Sequence, residues 1–508
     1  MSSSKRTSRE IEDDTSVELL PTSSEGSPIA STRPSMSSSK DVESRVSSEG
    51  RVTDWRAIYL ISLINLASFV MQYTLGVNAF VYLRQIDSSS SITDQGKVKS
   101  IYRLIIGISC VLSSVYAYTR KNFRHSIIAG ACMQVVGCSI YAYIEGFPED
   151  NRTGIWIFIF GLHAAAEGCN TVLVSYVPRV SSVKDRMKAY SFLGGAEVVA
   201  VVIGPVIQFA CHLLPGKTEL MGISWLKISE YTVPIWICCL LSIVNLFFVT
   251  FCMEEPPLEK NPQTFCKTMA QAWQEIRNTD IPLVVVCILE KCISAFGCTT
   301  ILTLAPPLIV TTFNVDESSQ SFYTTMFQCV SGFLALGTVA TFAKALKSSR
   351  LSSRAFLISL VFFILAYFFS IPTFSFYSQQ VTVADANNTH GCNLTTYGWC
   401  DEAWIVNPWM WIVVSGGLIG VAFPLANIAH DTIYSQILGG IDQNVLTGLM
   451  VMIQNISMIP VPIAATEIFK LYGPTRWWII VVATMIGGLV LWICSMKRLA
   501  IWTEEVER

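Results

Sequence analysis

The chain has 508 residues, 52% of them apolar and only 14% charged, with 13 tryptophans and a formal net charge of −2. A soluble domain carries roughly a quarter charged residues, and a soluble chain of this length would divide into about three domains, each with a polar skin. The composition excludes a soluble enzyme and a disordered chain, and the near-neutral charge gives no basic footprint for nucleic acid; this is an integral membrane protein.

Residues 1–53 hold 16 serines, seven Lys/Arg and nine Asp/Glu without any apolar period. Such a segment cannot bury enough apolar surface to offset its ordering entropy, so it is expected to be a disordered tail. It lacks the pattern of a signal peptide, and the first membrane helix is expected to act as the targeting signal, leaving the tail in the cytosol. Twelve apolar runs follow, near 57–83, 98–119, 127–146, 154–177, 189–213, 233–253, 281–311, 319–343, 354–373, 408–436, 445–469 and 476–496. Each approaches or exceeds the roughly 20 residues that cross about 30 Å of hydrocarbon. Gly204-Pro205, Pro306-Pro307, Pro424, Pro460 and Pro462 lie inside runs and allow tilt or breakage there. The expected fold is all-α: an N-terminal six-helix bundle over 54–254, a cytosolic interdomain loop over 255–280, a C-terminal six-helix bundle over 281–498 and a cytosolic tail over 499–508.

Orientation follows from counting. Loops on the side of the termini, with the C-terminal tail, hold 17 Lys/Arg, against nine on the opposite side, which places both termini in the cytosol. The sequons at Asn151, Asn387 and Asn393 all fall in loops on the opposite side; a fourth, at Asn455, lies in the eleventh run, out of reach of a glycosylating enzyme. The lumenal loop 374–407 also carries Cys392 and Cys400, the natural disulfide pair of an oxidising compartment. The other cysteines, apart from Cys266, sit within or at the ends of apolar runs and read as small membrane-core residues.

Twelve spans with a longer polar connection after the sixth resemble the major facilitator superfamily, whose two bundles rock around a midplane site. The superfamily's loop between spans 2 and 3 is represented here by Arg120, Lys121 and Arg124, without its glycines and acid. Span 5 partly matches an antiporter-type motif at Gly194-Gly195 and Gly204-Pro205, although such kinks are common in membrane helices. Closer likeness lies in Tyr82-Leu83-Arg84-Gln85-Ile86-Asp87, in Gly204-Pro205-Val206-Ile207-Gln208, in Gly391-Cys392-Asn393 with Gly398-Trp399-Cys400, in Thr432 to Gly439, and in Tyr472-Gly473-Pro474-Thr475-Arg476-Trp477. Over about residues 55–500 these resemble the domain-containing protein 8 family of that superfamily, associated with neuronal ceroid lipofuscinosis. The resemblance implies a glycosylated lysosomal or late-endosomal membrane protein, of a family to which chloride conductance has been attributed. It also points to Leu19-Leu20, preceded by Asp13-Asp14, as a dileucine signal for sorting adaptors, or else two apolar residues in a disordered tail.

Ionisable residues inside spans carry the functional reading, because a charge at mid-bilayer costs at least about 2.5–3.5 kcal/mol and usually faces a cavity or a partner. His163 and Glu167 lie four apart in span 4, with Asn170 a turn further. A carboxylate bonded to imidazole could hold or release a proton, since His titrates near about 6.5 unperturbed, or the pair could lock helices together. Glu197 in span 5 could share their cavity. In span 7, Glu290 and Lys291 point about 100° apart and cannot face each other; one could line the cavity, or each could pair with another span. Lys97, Lys99 and Arg103 form a cationic cluster at the lumenal start of span 2, an anion-concentrating mouth or a solvated helix cap. His430-Asp431 is expected near the cytosolic exit of span 10, a gate with Arg120, Lys121 and Arg124 or an interhelical latch.

No nucleotide-binding glycine loop, metal-ligand spacing or catalytic domain occurs, so no cofactor or metal is expected and any active transport would be secondary. The leading expectation is an endolysosomal secondary transporter moving a small solute or anion, coupled to or gated by protons. An anion channel is the second reading, and a non-transporting receptor or scaffold the third.

Overall fold

The computed structural model describes residues 52–87, 92–120, 122–182, 185–212, 218–220, 223–255, 280–315, 317–345, 349–373, 375–384, 392–438 and 443–507. The N-terminal tail with Leu19-Leu20, most of the interdomain loop, Lys121, Cys266 and the sequon at Asn387 lie outside them. Twelve helices among the described residues are long and apolar enough to cross a membrane. Spans 1–3 are the helices Trp55–Ile86, Ile92–Arg120 and Arg124–Ala142; span 4 is Glu149–Asn170 continued by Val172–Val180; spans 5 and 6 are Arg186–His212 and Val233–Phe251. Spans 7–9 are Ile281–Thr312, Glu317–Ala345 and Ser349–Phe368; span 10 runs through Pro408–Met410, a wider turn at Trp411–Ser415 and Gly416–Leu438. Span 11 is Gln443–Ser457 with Pro460–Tyr472, and span 12 is Pro474–Glu507.

Local chemistry sets the helix ends. Asp54 Oδ1 accepts from the backbone N–H of Arg56 and Ala57 at 3.0 and 3.2 Å, capping span 1. Asp280 caps span 7 through Leu283 N at 3.4 Å, and Asn407 caps span 10 through Trp409 N at 3.1 Å. At the start of span 3 the capping acid comes from elsewhere: Glu255, just beyond span 6, accepts from Phe123 N and Arg124 N at 3.1 and 2.7 Å. Of the prolines that allow tilt or breakage, Pro460 coincides with a break in the helix, while Pro205, Pro306, Pro307 and Pro424 stay inside continuous helix. An internal proline removes one N–H and need not end a membrane helix when neighbours satisfy the freed carbonyl.

Spans 1–6 form one bundle and spans 7–12 the other. Within the first, span 1 packs on spans 5 and 6, and span 4 on spans 2 and 3. A Cβ on Gly204 would come within 2.7 Å of Thr74 N, so spans 1 and 5 touch backbone to backbone there. The bundles meet along two seams, span 2 against span 11 and span 5 against span 8. Small residues make both seams close: Gly448 lies on Ser114 with Cys110 Sγ bonded to Gly448 O at 3.4 Å, and Gly332 and Gly195 abut Val202 and Val339. At the end where span 1 starts and span 12 finishes, Arg186 of span 5 donates to Ser435 Oγ of span 10 at 3.2 Å, tying the bundles together.

The loop after span 9 is a small packed cap. Strands β1 (Thr218–Leu220) and β2 (Ile223–Ile228) pair between spans 5 and 6, while β3 (Ser378–Gln380) and β4 (Trp404–Val406) pair within this cap. Cys392 and Cys400 are joined by a disulfide with Cα atoms 5.9 Å apart. Trp399 lies over Gly473, whose φ of +79° and close ring contact both require glycine, and its Nε1 donates to Lys470 O at 3.2 Å. Exposed Asn151 and Asn393 sit at this same end of the molecule.

Candidate functional site

A cavity of about 210 Å³ lies between the bundles, lined by spans 1, 2, 4 and 5 on one side and spans 7, 8, 10 and 11 on the other. Its polar lining is Gln72, Tyr73, Lys99, Tyr102, Arg103, His163, Thr299, Thr303, Thr324, Gln328 and Ser331, set in an apolar wall that includes Phe160, Phe327 and Phe423. Two basic side chains, Lys99 and Arg103, line it and, among the described residues, no carboxylate does.

Span 2 supplies both cations because Lys99 and Arg103 are one turn apart and share a face. Arg103 reaches across the seam, donating to Asn455 Oδ1 of span 11 at 3.2 Å and Thr299 Oγ1 of span 7 at 3.1 Å. Lys99 Nζ donates to the Leu302 carbonyl of span 7. The third member of the expected cluster is elsewhere: Lys97 is exposed and pairs with Asp94 at 2.8 Å, and it does not line the cavity.

The acids stand just behind the wall, each held by a tyrosine that lines it. Tyr102 Oη donates to Glu167 at 2.5 Å and Tyr73 Oη to Glu197 at 3.4 Å. Two close approaches place them: Gly168 against Ser109 brings span 4 onto span 2, and Gly204 against Thr74 brings span 5 onto span 1. The expected bond between His163 and Glu167 does not form, because Tyr102 takes the carboxylate. His163 is 3% exposed, and neither ring nitrogen has a hydrogen-bond partner. Its ring fills the space over Gly137, where a Cβ would lie 2.7 Å from Cε1. Asn170 is buried near Gly130 of span 3 and does not line the cavity.

The C-terminal bundle arranges its ions differently. Lys291 Nζ donates to Asp431 Oδ1 at 2.8 Å and Asn427 Oδ1 at 3.2 Å. His430 Nδ1 lies 3.3 Å from Asp431 Oδ1, and its Nε2 lies 2.8 Å from Cys287 O. The structure thus joins His430 and Asp431 to span 7, while Arg120 is exposed at the end of span 2. Glu290, 0% exposed with both oxygens unpaired, faces span 12 at Gly488 rather than the cavity. The 100° separation from Lys291 holds, and it sends both side chains to other helices.

Sequence reasoning missed Tyr73, Tyr102 and Asn455. The tyrosines carry no charge to set them apart within an apolar run, and Asn455 attracted attention only as an unreachable sequon. Their usable signal was position: Tyr102 adjoins Arg103, and an asparagine deep in an apolar run needs a partner.

Two six-helix bundles around a cavity with a few basic and polar groups in an apolar wall form the architecture shared by many membrane transporters. The chain belongs to the Major Facilitator Superfamily, whose pattern matches residues 61–386. It is 20% identical to the Major facilitator superfamily domain-containing protein 8 of Xenopus laevis, over 92% of this chain and 95% of that protein. An SPX domain-containing membrane protein of Oryza sativa subsp. indica is 24% identical over 214 residues, 41% of this chain and 29% of that one. Among solved structures, the human organic anion transporter MFSD10 (TETRAN) superposes with a TM-score of 0.57 at 12% identity, over 86% of this chain and 98% of that one. The expected twelve-span fold and the resemblance drawn from sequence are both borne out.

Proposed function

We propose that this transporter carries a small organic anion across the endolysosomal membrane, with proton coupling through Glu167 and Glu197. The observation that carries the reading is the cavity lining: Lys99 and Arg103 present positive charge, His163 adds two unpartnered nitrogens, and the acids are screened from the lumen of the cavity by Tyr102 and Tyr73. A pocket lined by basic groups favours an anion and disfavours a cation. Protonation of Glu167 or Glu197 would change what its tyrosine donates to, and so couple the wall to the proton gradient. A human protein of the same fold is described as an organic anion transporter, in line with that choice of cargo.

The wider assignment is part of the proposal: cytosolic termini with adaptor binding through Leu19-Leu20, bundles over 54–254 and 281–498, and glycans on Asn151, Asn387 and Asn393. The excess of 17 Lys/Arg over nine on the opposite side and the exposure of Asn151 and Asn393 support it. Anion conduction through a channel is the second reading, favoured by the same cations. Purified protein in liposomes separates them: a transporter gives saturable, pH-gradient-driven anion uptake that Glu197→Gln uncouples. Halide current without proton movement would replace this proposal with the channel.

A further inference from the structure

Pro306 lies inside the continuous helix of span 7 and has no N–H to give the carbonyl four residues back, that of Leu302. In a membrane such an orphan must find another donor. It finds Lys99 Nζ, from the other bundle. One ammonium therefore does two things: it contributes positive charge to the cavity, and it caps the proline turn of span 7. Arg103, on the same face of span 2, ties itself to Thr299, a turn before Leu302.

The rest of the cavity specifies what else could compete for that ammonium. Phe160, Phe327, Phe423, Ile309 and Ile419 make most of its wall apolar. The Thr324 hydroxyl, 4% exposed, and the His163 ring, 3% exposed, are polar groups in the lining that lack hydrogen-bond partners. A halide would answer the charge and leave the apolar wall and these polar atoms empty. An acid head on an apolar body answers all three.

We propose that the cavity binds an amphipathic organic monoanion whose acid group seats on Arg103 and competes with the Leu302 carbonyl for Lys99. This rests on the transporter reading of the same cavity and adds both the ligand class and a positioning role for Lys99. The bound anion draws Lys99 off span 7, uncaps the turn at Pro306, and loosens a contact that joins the two bundles. Ligand binding and bundle separation are then one event.

The test uses the full-length protein in detergent and benzenesulfonate, which stays ionised and cannot cross lipid unaided. Binding is read by thermal shift and equilibrium titration, against benzenesulfonamide, methanesulfonate and chloride. Benzenesulfonate is expected to bind, and the neutral, bodiless and halide probes to bind at least tenfold more weakly. Pro306→Ala returns an N–H to Leu302, frees Lys99, and is expected to tighten benzenesulfonate binding about fivefold, the low end of site-to-site couplings. Lys99→Met weakens binding and abolishes the benefit of Pro306→Ala; Lys99→Gln, neutral but still a donor, removes the charge where the methionine variant does not fold. Equal affinity in wild type and Pro306→Ala overturns the competition, and no binding, or chloride binding as well as benzenesulfonate, overturns the ligand class. Uptake of any anion into liposomes is scored separately, so loss of this inference leaves the transporter reading standing.

Discussion

The basic residues of the two bundles meet different partners, and the second bundle also buries an unpaired acid, Glu290. In the C-terminal bundle, Lys291, Asp431, His430 and Asn427 bond to one another, and His430 also reaches the Cys287 carbonyl. In the N-terminal bundle, Lys99 and Arg103 reach across to neutral partners on spans 7 and 11, and His163 has none. Burial of a charge in lipid therefore does not mark a pathway. On the reading proposed above, a pathway is marked instead by a donor whose partners are neutral and replaceable, facing open volume.

That contrast can be broken most severely at the closed network. Lys291→Met would strand Asp431, 21% exposed, without its cation, and should cost about 3–5 kcal/mol in unfolding experiments. Lys291→Met with Asp431→Asn should recover most of the loss, whereas equal instability of single and double variants would show that the pair is not self-contained. At the open site the expected damage moves from stability to flux. Arg103→Met should lower anion uptake about a hundredfold, the range for deleting one charged binding partner, with the unfolding midpoint nearly kept.

Glu197→Gln sharpens the comparison further. It keeps the Tyr73 hydrogen bond and removes the titratable proton, so exchange at equal pH should persist while the pH-gradient-driven component falls about tenfold. Smaller again is Gly137→Ala, which forces the His163 ring to move; uptake should drop about threefold, near 0.6–0.7 kcal/mol, without global unfolding. The smallest effect belongs to the cap far from the cavity. Trp399→Phe deletes the bond to Lys470 O and should cost about 1 kcal/mol in stability with uptake unchanged.

The twelve spans were legible because membrane hydropathy is written in contiguous runs. The disulfide cap was legible because two cysteines share one short loop. Side-chain partners were not, because they are set across the packing of bundles: Lys291 meets Asp431 over 140 positions and Arg103 meets Asn455 over 352. Spacing on one helix suggested His163 with Glu167, and that rule lost to a tyrosine from span 2, since a phenol donates readily to a carboxylate and the glycine contact at Gly168 brings it near. The prolines left tilt and breakage both open for a related reason. Whether one breaks a helix depends on a donor from another span, and for Pro306 that donor is Lys99.

The most direct measurement is benzenesulfonate uptake into liposomes by wild type, Arg103→Met and Lys97→Met. Lys97 is two residues from Lys99, yet it is exposed and paired with Asp94. If the cavity is the anion pathway, uptake is saturable in wild type, retained in Lys97→Met and lost in Arg103→Met. Uptake that survives Arg103→Met, or that fails equally in Lys97→Met, would contradict it.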